Sequence, residues 1–231
     1  MAIYRANEIK CAAASQMPDP DATSNKPTSV QVQGSSNYLY RAFLKYDLSG
    51  IPDEATILSA KMYVYCNFWN DSGGSGTTNI ARITSEWDEE TVCWNNQPSF
   101  VGTYLPANVK PPSVNTWGVW DVTSLVKEWV GVSERYPNYG LYVVNNNEGG
   151  YRVNWSFLTH YYDINNSDDG DDSNNLGTYL EIEYETGKDI KYYDIEKSTM
   201  TAIANETRRL AGTDVKMTAT QIVKFLSKVS V

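Results

Sequence analysis

A mainly β chain, folding as an antiparallel β-sandwich of jelly-roll type and followed by a small C-terminal α-helical hairpin, is the architecture this sequence predicts. Three observations predict it. Apolar and polar residues alternate with period two from residue 29 to 185, as expected of strands with one buried face. Stretches dense in Gly, Pro, Asn, Asp and Ser interrupt that alternation, and such residues favour turns. After Glu185 the period lengthens to that of a helix. The expected domains are therefore a sandwich over 1–187 and a hairpin over 188–231.

Taken in order, SVQVQ, YRAFLKYDL, ILSAKMYVYCNF, TNIARIT, WGVWDV, YGLYVVNN, RVNWSFLTHYY and TYLEIEYE read as strands rich in Val, Ile, Tyr, Phe and Trp. One helix is expected within the sandwich at DVTSLVKEWV, with Asp121 or Thr123 as the cap and Leu125, Val126, Trp129 and Val130 on one apolar face. In the last segment Met200, Ile203 and Leu210 recur at helical spacing, and Gly212 is placed to stop that helix. A second helix opens with Thr218 and Gln221 at capping-box spacing and carries Ile222, Phe225 and Leu226. A hairpin of this size is too small to bury its own core, since domains below about 40 residues usually need help. It is expected to dock through Met200, Ile203, Leu210, Ile222, Phe225 and Leu226, with Arg208 and Arg209 meeting acidic neighbours.

Charge excludes some partners. Residues 1–187 carry 11 Lys/Arg against 23 Asp/Glu, a formal −12, whereas 188–231 carry +3, for −9 overall. An acidic body repels phosphate backbones, anionic membranes and polyuronates, so nucleic acid is not an expected partner. No run of 18 apolar residues and no signal-peptide core is present, which predicts synthesis in the cytoplasm and no membrane insertion. Cys11, Cys66 and Cys93 make an odd count without metal-type spacing, and Cys66 falls in phase with the buried face of its strand.

The residues that carry chemistry are few. ITSEWDEETVCWNNQP, residues 83–98, sets Glu86, Asp88, Glu89 and Glu90 around and between Trp87 and Trp94, with Glu86 just before the first. Glycosidases need two opposed carboxyls, but here a strand end is expected, with the tryptophans turned inward beside Trp129 in the core and the acids solvated or bonding turn amides. His160 is the sole histidine, and no GxSxG, HExxH, Walker loop or GxGxxG occurs. No catalytic residue is predicted. The loop DINNSDDGDDSNN offers Asp163, Asp168, Asp169 and Asp171 as hard oxygen ligands, leaving open a solvated acidic loop or a Ca²⁺ site, although its spacing departs from the EF-hand. For sugar stacking the candidates are Trp69, Tyr38, Tyr40, Tyr104, Trp155, Tyr161 and Tyr162, with Tyr136 and Tyr139 behind them. Trp69 leads, because FWNDSGGSG sets it where a strand enters a loop.

RAFLKYDLSGIPDEATILSAKMYVY, ARITSEWDEETVCWNNQPSF, WGVWDVTSLVKEWV, NYGLYVV and YLEIEY follow one another over residues 25–185. Together they resemble the DNRLRE family, whose members include carbohydrate-binding modules first described as alginate binders. Arg41 matches that family's arginine pattern, whereas Lys45 and Tyr46 depart from it. The resemblance implies a non-catalytic jelly roll of the carbohydrate-binding kind, for which host cell-surface polysaccharide is a candidate partner. The last segment, TAIANETRRLAGTDVKMTATQIVKFL, is similar to a helical segment of phage and prophage virion proteins of Gram-positive bacteria. That similarity implies a structural protein of a phage or phage-like particle, its partners other virion proteins or copies of itself, released with the virion. The alternative it leaves is a carbohydrate-binding module of a bacterial cell-surface protein.

Overall fold

The structure is a computed structural model, and it describes residues 1–186 apart from 25, 36–37, 72–75, 147, 150–152 and 163–174, together with Asn205. The chain divides into two compact units, Met1–Gly187 and Lys188–Val231. The expected hairpin and its docking residues, like the acidic loop with its expected Ca²⁺ ligands, lie outside the described residues.

The described part is antiparallel throughout and forms a barrel-like sandwich. Its strands are β1 (Ala2–Ser15), β2 (Ser29–Gly34), β3 (Tyr40–Tyr46), β4 (Ala55–Asp71), β5 (Thr78–Arg82), β6 (Thr116–Asp121), β7 (Leu141–Asn145), β8 (Val153–Leu158) and β9 (Tyr179–Thr186), with the helix α1 (Thr123–Trp129) between β6 and β7. The hydrogen-bonded order β1-β9-β4-β8-β2-β3 returns to β1, closing a ring. β7 and β5 extend from β3, and β6 lines the other edge of β4. Closure of this kind leaves few free strand edges. Among the described residues no helix is long and apolar enough to cross a membrane.

β1 was not expected, and it is the strand that closes the ring. Its residues 2–7 pair with β9 and its residues 10–15 with β3, with an irregularity between Glu8 and Lys10. Ala, Asn, Glu and Lys are poor strand formers, and the irregularity breaks the alternation that betrays the other strands. Pairing of its first half with β9 and its second half with β3 supplies what local preference lacks.

Two cores result. The larger fills the ring, with Leu44, Met62, Val64, Cys66, Trp120, Trp155, Phe157, Leu180 and Ile182, and α1 closes over it through Leu125, Val126 and Trp129. The N-cap of α1 is Val122, not Asp121 or Thr123. Asp121 instead accepts the Thr123 amide at 2.9 Å, and the Thr123 hydroxyl accepts the Ala60 amide at 2.8 Å, tying the helix to β4. The smaller core lies on the opposite face of β1, β3, β5 and β7, where Phe43, Ala81, Ile83, Val92 and Tyr142 are covered by the long β5–β6 connection. Trp87 and Trp94 belong to this second core and are only partly buried. Trp129 alone of the three sits in the main core as expected.

Arg41 pins this cover. Its guanidinium forks onto Glu148 with two contacts of 2.7 Å, donates to Gln97 at 3.0 Å and lies 4.3 Å from the centroid of the Trp94 ring. Such bidentate, stacked geometry suits arginine and not lysine. Where the chain enters β7, Gly140 has φ +102°, and an added Cβ would stand 2.2 Å from the Leu44 carbonyl oxygen on β3. Gly140→Ala therefore meets both backbone strain and a clash with main chain. A loss of about 2 kcal/mol or more is expected in urea denaturation; a wild-type midpoint would show that β7 shifts freely against β3.

Candidate glycan-binding face

The four strands β6, β4, β9 and β1 present one continuous outer face. Alternation sends Met62, Val64, Trp120, Leu180 and Ile182 inward, and the intervening residues outward. Register then lines the outward residues into rows. Arg5 stands opposite Glu181, Glu181 opposite Lys61, and Lys61 opposite Asp121. Charge alternates in sign along this row, so each cross-strand pair is favourable and the row carries no net charge. The next row is Asn7, Tyr179, Tyr63 and Val119, and beyond it lie Tyr65 and Trp117.

The aromatic part of this face is tightly ordered. Tyr63 and Tyr179 stack with centroids 4.6 Å apart and planes within 5°. Trp117 meets Tyr63, Tyr65 and Tyr179 edge-on at 6.4, 5.4 and 5.6 Å. The Arg5 guanidinium covers the Tyr179 ring at 3.8 Å. Trp117 nevertheless keeps 36% of its surface exposed and Val119 keeps 49%. Neighbours fix the indole while leaving area for a ligand, and a rigid ring loses little entropy on binding. Burial, reinforced by Glu181, raises the Tyr63 phenol above its usual pKa, and burial does the same for Tyr179 against the opposing pull of Arg5. Both hydroxyls therefore stay protonated near neutral pH and can donate.

Chemically the face offers what a pyranose chain uses: an exposed indole for the apolar sugar face, and planar polar groups beside it for hydroxyls. Tyr63 already donates to Glu181 at 3.4 Å and Ser59 to Glu183 at 3.0 Å, so the carboxylates are held in place before any ligand arrives.

The sequence matches the model of carbohydrate-binding module family 96 over residues 17–160. The chain belongs to this family. A comparison with curated proteins finds no match. The matched range includes Tyr63, Tyr65 and Trp117, while Arg5, Tyr179 and Glu181 on the flanking strands complete the module's face from outside it.

The stacking residues expected from the sequence are scattered over the module. Trp155 is wholly buried, with its indole N–H donating to the Thr78 hydroxyl at 3.0 Å, so it has no ring face to offer; its place on β8 points it into the core. Trp69 and Tyr38 are exposed by 39% and 51%. Gly34 and Asp71 both pair with Val153, which puts Trp69 and the segment before Tyr40 at one end of the β2–β8–β4 sheet. Tyr40 is partly buried, and Tyr104 packs on the second core. Tyr161 and Tyr162 are partly buried, with Tyr161 donating to Glu89 at 3.0 Å. Tyr136 lies under Arg82, and Tyr139 lines a small cavity of about 170 Å³ with Lys10, Lys45, Glu86 and Trp87.

Tyr63, Tyr65, Trp117 and Tyr179 were missed. For Tyr63, Tyr65 and Tyr179 the signal was present, because each sits out of phase with the apolar residues of its own strand, whereas Trp117 shares its phase with Val119. Parity alone does not show that four strands bring such residues into adjacent rows.

The acids of residues 86–90 diverge. Glu86 lines the cavity, Asp88 accepts the amides of Glu90 and Thr91, Glu89 accepts the Cys11 amide and the Tyr161 hydroxyl, and Glu90 pairs with Lys26 at 3.7 Å. They are not an opposed pair. His160, the sole histidine, places its Nδ1 2.5 Å from Oε1 of the buried Glu8. All three cysteines are free and buried.

Proposed function

We propose that this module binds a polysaccharide, without cleaving it, along the outer face of β6, β4, β9 and β1, with Trp117 as the stacking surface. The observation that carries this reading is the ordered aromatic row beside a row of alternating charge, on an exposed face of a member of a carbohydrate-binding family. The divergence of Glu86, Asp88, Glu89 and Glu90 supports a non-catalytic role. Because the charged row is balanced and the body is acidic, a neutral polysaccharide is the expected ligand. Isothermal titration or affinity electrophoresis with neutral glucans, xylans and mannans, and with alginate, tests this. Binding of a neutral polymer is expected in the micromolar to millimolar range. Binding of alginate alone would overturn the neutral-ligand reading, and binding of no polysaccharide would overturn the whole.

A second reading concerns where the module is carried, and the similarity of residues 201–226 to phage virion proteins favours it. We infer that 188–231 docks the module into a phage or phage-like particle, so that the glycan face meets the host surface. Deleting 188–231 should leave a folded protein with unchanged glycan affinity that no longer joins its particle. Normal incorporation of the truncated protein would return the chain to the alternative, a module of a bacterial cell-surface protein.

A further inference from the structure

Away from the glycan face, a second constellation has no role in sugar binding. Glu8 and Cys11 of β1 meet His160, which follows β8, and one ligand atom from each residue lies within 4.8 Å of the others. In an uninterrupted strand, residues three apart point to opposite faces. The irregularity between Glu8 and Lys10 re-phases β1, so that Glu8 and Cys11 are both buried on the side of the main core. A bulge of this kind re-aims side chains and commonly marks a functional position.

What it aims is costly. The Glu8 side chain is fully buried, and its Oε2 has no hydrogen-bond partner among the described residues. Oε1 takes the His160 imidazole at 2.5 Å and the His160 amide at 3.4 Å. The Cys11 thiol makes a long contact, 3.9 Å, to the Pro27 carbonyl and lies within reach of the Glu8 carboxylate and the Thr159 side chain. Burial and the Glu8 carboxylate push the thiol pKa well up, and burial raises that of Glu8 against the pull of His160. A buried Glu–His pair alone leaves one carboxylate oxygen without a hydrogen-bond partner, and buried ion pairs seldom repay their desolvation.

We propose that Glu8, Cys11 and His160 form a binding site for a borderline divalent cation of the Zn²⁺ class. One carboxylate, one thiolate and one imidazole are a suitable donor set for such an ion, and unsuitable for Ca²⁺ or Mg²⁺, which take oxygen. Zinc–ligand distances of about 2.0–2.3 Å place tetrahedral ligand atoms roughly 3.3–3.7 Å apart. The carboxylate and imidazole then part by about 1 Å, and the sulfur moves in by about as much. Binding releases the thiol proton to solvent, and the imidazole presents Nδ1 to the ion with any ring proton on Nε2. His160, with 23% of its side chain exposed, gives the ion a way in. The Glu89 carboxylate lies outside this three-residue group, but it accepts the Cys11 amide at 3.3 Å and the Tyr161 hydroxyl at 3.0 Å and so steadies the strand that carries the sulfur. Coordination would tie the N-terminal strand to the end of β8, raising stability as any ligand confined to the native state must.

The test uses the full chain, reduced and freed of metal, with Zn²⁺ and Co²⁺ as probes. One Zn²⁺ per chain should be taken from a chromophoric chelator, with a rise in Tm. Co²⁺ should give thiolate-to-metal charge-transfer absorption, which an all-oxygen site lacks. Cys11→Ser should abolish that band, and both Cys11→Ser and His160→Ala should weaken Zn²⁺ binding by about 100-fold or more; Cys93→Ser, a thiol elsewhere, should change neither. Because His160→Ala leaves the buried Glu8 unpaired, His160→Asn, whose amide can still donate to that carboxylate, reports if either variant folds poorly. No thiolate band with Co²⁺, or Zn²⁺ affinity unchanged in His160→Ala, overturns the proposal.

Discussion

Trp117→Ala is expected to weaken polysaccharide binding by about 30-fold or more, the loss of roughly 2 kcal/mol typical of a central aromatic anchor. Its cost to folding should be of similar size or less and should leave the module folded. Trp117 keeps 36% of its surface exposed and meets its three tyrosine neighbours through edge contacts. Aromatic pairs contribute about 0.5–1.5 kcal/mol each beyond their buried area, and part of that returns when Tyr63 and Tyr65 relax over the gap. Titration calorimetry and a melting curve on the same sample separate the two effects. Trp69→Ala is the informative comparison, because Trp69 lies on the same module at the end of the β2–β8–β4 sheet. If Trp69→Ala removes binding and Trp117→Ala leaves it unchanged, the ligand sits at that end and the sheet-face site is wrong.

The largest loss of stability is expected at Trp155. The indole is wholly buried, meets Trp120 edge-on at 5.4 Å and Phe157 at 5.1 Å, and donates to Thr78. Trp155→Ala removes the largest of the fully buried side chains and leaves a cavity that the surrounding sheets cannot close. About 3–5 kcal/mol should be lost, which for a domain of this size lowers Tm by roughly 6–20 °C. Trp155→Phe keeps most of the apolar area but leaves the Thr78 hydroxyl without its donor, at a cost of about 1–3 kcal/mol. That variant should still bind polysaccharide with wild-type affinity. A loss under about 1 kcal/mol for the alanine variant, read from its urea midpoint, would mean that the indole is not packed as described.

The two tryptophans show what could be read from the chain before its fold. WGVWDV places Trp117 and Trp120 three residues apart, so in a strand they must face opposite ways. Nothing within those six residues says which one faces the core. Pairing of β6 with β4 decides it, because Trp120 stands opposite the buried Met62 and Trp117 opposite the outward Tyr65. Trp155, expected as a sugar platform, is a different case: it alternates in phase with Val153 and Phe157 against Asn154 and Ser156, a pattern that already turns the indole inward.

Sequence by itself determined the antiparallel strands from β2 to β9, the turns between them, and helix α1 with its buried Leu125, Val126 and Trp129. These follow from periodicity and turn chemistry, which are properties of consecutive residues. Only tertiary structure decided that Ala2–Ser15 is a strand, since it is pairing to β9 and β3 that holds a segment of weak strand formers extended. It alone aligned Arg5, Glu181, Lys61 and Asp121 in one row, and brought Glu8 to His160, 152 residues away. A face, a row and a ligand set are fixed by register between strands, and register is set by the packing of the whole sheet.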